Sequence, residues 1–370
     1  MIPPVGYKYN LFEIFISFFK NKNNKIEFPY LQSDKYFLTN YGRAALFLGL
    51  IALKKYNKNR NEVILSSFNC DTVLLAIKKS GLKPVFCDIN KEDLNLSIED
   101  LKNKITEKTL CVINSPMFGI ANDAQLINKI VKFHNAFLIE DLAQSYGTKF
   151  NDEYLGNFGD LTVLSFGKAK IISTYNGGAL IVNNNNLLNE IENVYDSKFT
   201  KPELSLFTFS KFLFFQVLIN PLYFRWVIRI KNNNNQNSPD DFVLKRLNFI
   251  QYKILFYMLS NIEKFNEFRK QNASRINNVL VKDFYVFGNK KSESIYFRIP
   301  ILTKNENDSK KLVKSLRENG IWAGDYIFPS LDDTDNHKNL RQIIDRIVTL
   351  PNNNFISLKD YQKTLNFNNN

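Results

Sequence analysis

The sequence predicts an α/β protein: a large domain on a mostly parallel sheet between helices, then a smaller C-terminal α/β domain. Two observations carry this. From about Thr39, short apolar runs of strand type alternate with stretches at helical spacing. That order builds a parallel sheet with right-handed crossovers. Near Asp241 the alternation gives way to one long helical pattern, followed by a strand–helix pair. At 370 residues and 44% hydrophobic composition, the chain can bury more than one core.

Residues 1–28 read as an N-terminal arm. Leu11 to Phe19 is apolar, but Glu13 interrupts it and no small-residue cleavage site follows. It predicts a short amphipathic helix rather than a secretion signal. Residues 29–200 hold the large domain. "YGRAALFLGLIALKKY" is helical after Gly42, and "EVILS" (Glu62 to Ser66) is a strand. "DTVLLAIKKSG" is a helix with Asp71 as N-cap and Gly81 past its end. "KPVFCD", "TLCVIN", "AFLIED" and "LTVLSF" are buried strands, with helical "DAQLINKIVKFH" among them. Ligands of such sheets collect at the carboxyl ends of strands. Asp141 ends one strand there, and Ser165 to Lys170 follow another.

The tracts at Asn183–Asn186 and Asn232–Asn235 read as loops. They bracket an aromatic, basic segment within 201–240. Its longest uncharged apolar stretch, Phe212 to Phe224, is too short to span a bilayer as a helix, and Asn220-Pro221 breaks it. It reads as core or subunit interface, with peripheral membrane contact through 207–230 as the alternative, given Lys211, Arg225, Arg229 and Lys231. Residues 241–370 form the small domain. It has one long helix ("KRLNFIQ" to "ASRI"), a strand ("SIYFRIPIL"), a helix ("DSKKLVKSLRENG") and strand-like "IWAGDYIF".

The formal net charge of +13 favours anionic partners such as phosphorylated metabolites. No aromatic RNA-binding motif, zinc finger or basic tail points to nucleic acid. Cys70, Cys87 and Cys111 stand alone, without a Cys-x-x-Cys pair, and there are two histidines. That argues against a disulfide framework and a Cys/His metal site, and for a reducing, cytoplasmic setting.

Two stretches carry chemistry. "IEDLAQSYGTKF" places Asp141 and Gln144 just after an apolar run, and "LSFGKAKIISTYNGGAL" places Lys168 and Lys170 between an apolar run and a Gly-Gly pair. An amine and an acid at neighbouring strand ends suggest pyridoxal 5'-phosphate. That cofactor takes a lysine amine, a carboxylate for its ring nitrogen, and a phosphate site at a helix N-terminus. "NYGRAAL" supplies a glycine at a helix start, and Ser165 a hydroxyl. Spacing does not choose between Lys168 and Lys170. Plainer readings stand beside these: Asp141 and Gln144 as a helix capping pair, Gly42 as a turn residue, and Cys70 as a buried apolar side chain.

These residues resemble the DegT/DnrJ/StrS sugar aminotransferases, of the aspartate-aminotransferase fold type. The resemblance runs from "IPPVG" to "ENGIWAGDYIFPS". It is sharpest in "GRAAL", "KPVFCDI", "IEDLAQSYG", "FGD" (Phe158 to Asp160) and "SFGKAK" with "GGA". It implies a type I pyridoxal-phosphate fold with a seven-stranded-type sheet. It also implies a homodimer, and an amine transfer from L-glutamate to a nucleotide-linked keto sugar in surface glycan synthesis. It makes Lys170, counted from Ser165-Phe166, the covalent cofactor lysine and a proton carrier. Asp141 becomes the ring-nitrogen partner and Gln144 a contact of the ring hydroxyl. Ser165 and the amides of Gly42 and Arg43 become the phosphate site.

The chain departs from the family at three places. Arg43 stands where a threonine is usual, Cys70 where an aromatic stacks on the ring, and Pro116-Met-Phe-Gly119 where His-x-x-Gly is usual. No Gly-Tyr-Asn-Tyr-Arg segment is evident. The chain therefore reads as a divergent branch. A dehydratase of the same fold is an alternative, opposed by Lys170, because the resembling dehydratases carry histidine there. A cofactor-binding regulator or membrane-associated scaffold without turnover is another.

Overall fold

The structure is a computed structural model that describes residues 1–4, 6, 9–20, 25–168, 170–202, 206–224, 242–280, 284–288, 292–324 and 337–365. Helix α1 (Leu11–Lys20) precedes the large domain. There follow β1 (Tyr36–Thr39), α2 (Gly42–Tyr56), β2 (Glu62–Ser66), α3 (Asp71–Lys79), β3 (Lys83–Cys87), α4 (Ile98–Lys104), β4 (Thr109–Asn114), α5 (Ala124–Phe133) and β5 (Phe137–Asp141). A small hairpin, β6 (Lys149–Phe150) and β7 (Glu153–Tyr154), leads to β8 (Leu161–Ser165), β9 (Gly178–Val182), α6 (Leu188–Lys198) and α7 (Leu206–Leu218).

Seven strands form one sheet in the order β1-β9-β8-β5-β4-β2-β3. β9 runs antiparallel to both its neighbours, while β8, β5, β4, β2 and β3 run parallel. Strands β2, β4 and β9 are buried along their whole length, as expected of a sheet covered on both faces. On one face α2 and α3 pack through Leu46, Leu50, Leu53, Val73 and Ile77 onto Val63, Ile113 and Leu180. The parallel strands all end at the same edge, so Asp141 and Ser165 emerge side by side.

The C-terminal half continues with α8 (Phe249–Ser260), α9 (Ile262–Leu280), β10 (Tyr285–Val286), β11 (Ser292–Glu293), β12 (Arg298–Leu302), α10 (Glu306–Glu318), α11 (Lys338–Ile343), β13 (Ile347–Pro351) and α12 (Leu358–Leu365). β10, β12 and β13 form a three-stranded sheet, and β11 extends the hairpin of β6 and β7.

Several expectations change. The long helix is two helices. Asn248 and Gln251 close a capping box at the start of α8, and Asn261 ends it in a non-helical conformation. The apolar core does not divide at 241. Ile250, Ile254, Met258, Ile262 and Phe265 pack into the large-domain core, whereas Ala273, Ile276 and Leu280 of the same α9 pack into the small one. The arm is packed down: Ile14 lies in the large-domain core and Ile2 bridges to Ile321. Asp71 is not the N-cap of α3. Cys70 is, and its side chain makes no capping bond. In "IWAGDYIF", Ile321 and Gly324 make isolated bridges instead of a strand, and 325–328 lie outside the described residues. The same holds for Arg225, Arg229, Lys231 and the second Asn tract. No helix among the described residues is long and apolar enough to cross a membrane.

Candidate active site

A cleft opens at the carboxyl edge of the large sheet. Gly42, Arg43, Cys70, Asp141, Gln144, Ser165 and Lys170 all line it. Each arrives for a local reason. β5 delivers Asp141 at its last residue. The chain then turns without forming a helix, so the capping-pair reading of Asp141 and Gln144 has no helix to cap. Instead Asp141 Oδ1 accepts the Ala143 N–H at 3.1 Å. Gln144 Oε1 accepts the Phe118 N–H at 3.1 Å, which leaves its amide NH₂ as a donor.

Asp141 is buried, and its second oxygen has no hydrogen-bond partner among the described residues. Burial pushes its carboxyl pKa up, while the Lys170 charge and the Ala143 N–H pull it back. A buried, half-satisfied carboxylate beside a lysine suits a cationic N–H donor from a ligand. Its neighbour Glu140 serves the frame. It accepts the N–H groups of Gly156, Phe158 and Gly159 at 2.9, 2.9 and 2.7 Å. Asp160 of "FGD" likewise clamps the Leu138 N–H and the Asn184 side chain.

The two lysines part company. Lys168 is exposed and lies over the Tyr175 ring at 4.3 Å. Lys170 lines the cleft, and its backbone N–H bonds Gly167 O at 3.1 Å.

Opposite the acid, two helices begin at the cleft. Tyr41 and Cys70, the N-caps of α2 and α3, make no side-chain capping bond. In α2, Ala44 and Ala45 donate to Tyr41 O, and Gly42 and Arg43 precede them. Amides at such ends lack intrahelical acceptors and attract anions. Glycine is required at the start of α2, since a Cβ on Gly42 would lie 2.7 Å from Ser165 Cβ and 2.8 Å from its Oγ. Gly178 backs this contact: its own Cβ would lie 2.7 Å from Gly42 N, Gly42 Cα and the Tyr41 carbonyl carbon. All three are backbone atoms, so the start of α2 would have to move. Gly178→Ala is therefore expected to cost about 1–3 kcal/mol by overpacking. An unchanged urea midpoint would show that the contact relaxes freely.

Arg43 stacks its guanidinium on Tyr41 at 4.3 Å at the rim of the cleft. Cys70 Sγ sits 3.1 Å from Thr72 Oγ1. Phe68 does not stand in for an aromatic at Cys70. It is wholly buried, packs on Phe118 and takes no part in the cleft. Sequence reasoning missed Asn69 and Ser115, which bond each other at 3.1 Å in the cleft wall. Both follow strand ends, β2 and β4, so the rule that picked Asp141 would have found them.

Residues 28–210 match the DegT/DnrJ/EryC1/StrS aminotransferase family. This chain is similar to that family through this segment, just under half of its length. GDP-perosamine synthase of Escherichia coli O157:H7 is 35% identical over 146 residues, 40% of this chain and 40% of that protein. GDP-4-keto-6-deoxy-D-mannose 3-dehydratase of Yersinia pseudotuberculosis is 30% identical over 162 residues, 43% of this chain and 41% of that protein. The match thus spans about two fifths of these relatives' length. Among solved structures, the putative sugar aminotransferase Spr1654 from Streptococcus pneumoniae in its PLP form superposes with a TM-score of 0.77. It covers 99% of this chain and 97% of its own, at 16% identity. PseC of Helicobacter pylori, an aminotransferase of pseudoaminic acid biosynthesis, gives a TM-score of 0.76 with the same coverage, at 17% identity. These likenesses show the fold over nearly the whole chain: the type I fold of pyridoxal-phosphate enzymes.

Proposed function

We propose that this chain is a pyridoxal-phosphate aminotransferase of the DegT/DnrJ/EryC1/StrS kind, and that it converts a nucleotide-linked keto sugar to an amino sugar. One observation carries the reading. Lys170 and the half-satisfied carboxylate of Asp141 face a single cleft, opposite the uncapped starts of α2 and α3. When bound, pyridoxal phosphate supplies an electron sink for the carbon that gains or loses the amine.

The residues present fit that group. The Lys170 amine would hold it covalently and would carry the proton to and from the reacting carbon. Asp141 would accept the ring N–H and keep it charged. Gln144 would offer its amide NH₂ to the ring hydroxyl. The amides of Gly42 and Arg43 and the Ser165 hydroxyl would take the phosphate, with the Arg43 charge at the rim. Cys70 leaves the ring without an aromatic cover, so positioning falls to the walls at Val163 and Met117.

The family's relatives include synthases and transaminases of nucleotide amino sugars as well as dehydratases. Lys170 favours amine transfer, because the resembling dehydratases carry histidine at that position. L-Glutamate is the proposed donor, and the net charge of +13 suits a diphosphate-bearing acceptor.

Purified protein given glutamate and a panel of nucleotide keto sugars is expected to yield aminated product by mass. Loss of water from the sugar without nitrogen gain would assign a dehydratase. Absence of any product with cofactor bound would favour the non-catalytic reading.

A further inference from the structure

Helix α7 presents two unlike settings for like side chains. Phe212 is buried in the large-domain core, and Phe209 and Leu213 pack beside it. Phe207, Phe214 and Val217 fall on the other side of the helix at i, i+7 and i+10 spacing. Phe207 and Phe214 are 66% and 64% exposed. Just past the helix, Leu222 is 77% exposed, and Tyr223 is exposed too. Helix α1 packs against the same α8 that supports α7, and its Phe12 is 70% exposed. A helix with an apolar outer stripe is not built for water, and clustered exposure of this kind marks an interaction surface.

The charges say what covers it. Between 206 and 231 the sequence has no acidic residue, but it has Lys211, Arg225, Arg229 and Lys231, the last three outside the described residues. Lys211 lies over the Phe207 ring with its Nζ 4.2 Å from the centroid. The acid on α1, Glu13, is already engaged by Tyr257 Oη at 2.9 Å and Asn10 Nδ2 at 3.0 Å. A second copy of the chain is a poor occupant. A twofold contact sets a patch against itself, and here it would oppose cations with no acid to pair them. No described helix can cross a membrane, so the segment would lie on one.

We propose that the outer face of α7, continued by Leu222 and Tyr223, rests on an anionic lipid bilayer. Phe207, Phe214 and Leu222 enter the headgroup–acyl boundary, and Lys211 reaches the lipid phosphates. The attraction has an apolar part and a salt-sensitive part.

The test is flotation of the full chain with phosphatidylcholine vesicles, with and without phosphatidylglycerol. Wild type is expected to rise with the anionic vesicles at low salt, and to rise less at high salt or with neutral vesicles. Phe214→Ser with Leu222→Ser should lower the partition coefficient about tenfold or more. Lys211→Glu should lower it for anionic vesicles alone. Both variants change exposed side chains, and circular dichroism and light scattering without vesicles should match wild type. Wild type that stays at the bottom overturns the proposal, as does a double variant that floats like wild type. A double variant that dissociates a wild-type oligomer in vesicle-free buffer would give this face to a second copy instead.

Discussion

Lys170→Ala is expected to lose turnover by about 10⁴-fold or more, the scale on which removal of a covalent catalytic group acts. Lys168→Ala should stay near wild type. The contrast rests on placement: Lys170 lines the cleft, while Lys168 is exposed and stacked on Tyr175. Borohydride reduction of the cofactor-loaded protein, followed by digestion, should recover the cofactor on the peptide carrying Lys170. This readout does not depend on knowing the sugar. Label on Lys168, or equal activity loss in both variants, would overturn the assignment.

Asp141→Asn should keep the fold and lose most turnover. Asparagine can still accept the Ala143 N–H that Asp141 Oδ1 accepts, so the turn survives. What disappears is the charge proposed to face the ring nitrogen. By analogy with other buried charge contacts, the loss is about 2–5 kcal/mol, or about thirty-fold to several thousand-fold in rate. Stability should move the other way. Burial raises the Asp141 pKa more than Lys170 and the Ala143 N–H lower it. A carboxyl with a raised folded pKa loses stability as pH climbs from the ordinary carboxylate range through that raised value. The cofactor-free Asn variant is thus expected to be at least as stable as wild type at neutral pH, and to lose that advantage in acid. Wild-type turnover would reduce Asp141 to a turn-forming residue. A variant destabilised at neutral pH and unaffected in acid would reverse the electrostatic argument.

The strands of the large sheet are legible because buried parallel strands are largely apolar, and "EVILS", "TLCVIN" and "LTVLSF" are short runs of that kind, too short for a typical helix. The seven residues singled out share one cleft because a parallel sheet gathers strand ends at one edge. Other features lay beyond local pattern. Periodicity reveals an apolar face, not what covers it, so Ile250 and Ile254 were assigned to the small domain although they pack in the large one. Asp71 has the residue type of a cap, but it is the first helical residue and the cap is Cys70. Asn69 and Ser115 went unnoticed because no charge or glycine marks them. The choice of Lys170 over Lys168 came from resemblance, since two residues of spacing carry no direction.

Helix α9 has a consequence for how the cleft can work. Ile262 and Phe265 near its start belong to one core, and Ala273, Ile276 and Leu280 near its end to the other. A swing between the two lobes would therefore bend this helix or shift its packing at one end. Meanwhile every described residue lining the cleft lies between Gly42 and Lys170. Through Phe287 and Leu340, packed with Phe68, Met117 and Phe118, the smaller lobe backs one wall of the cleft.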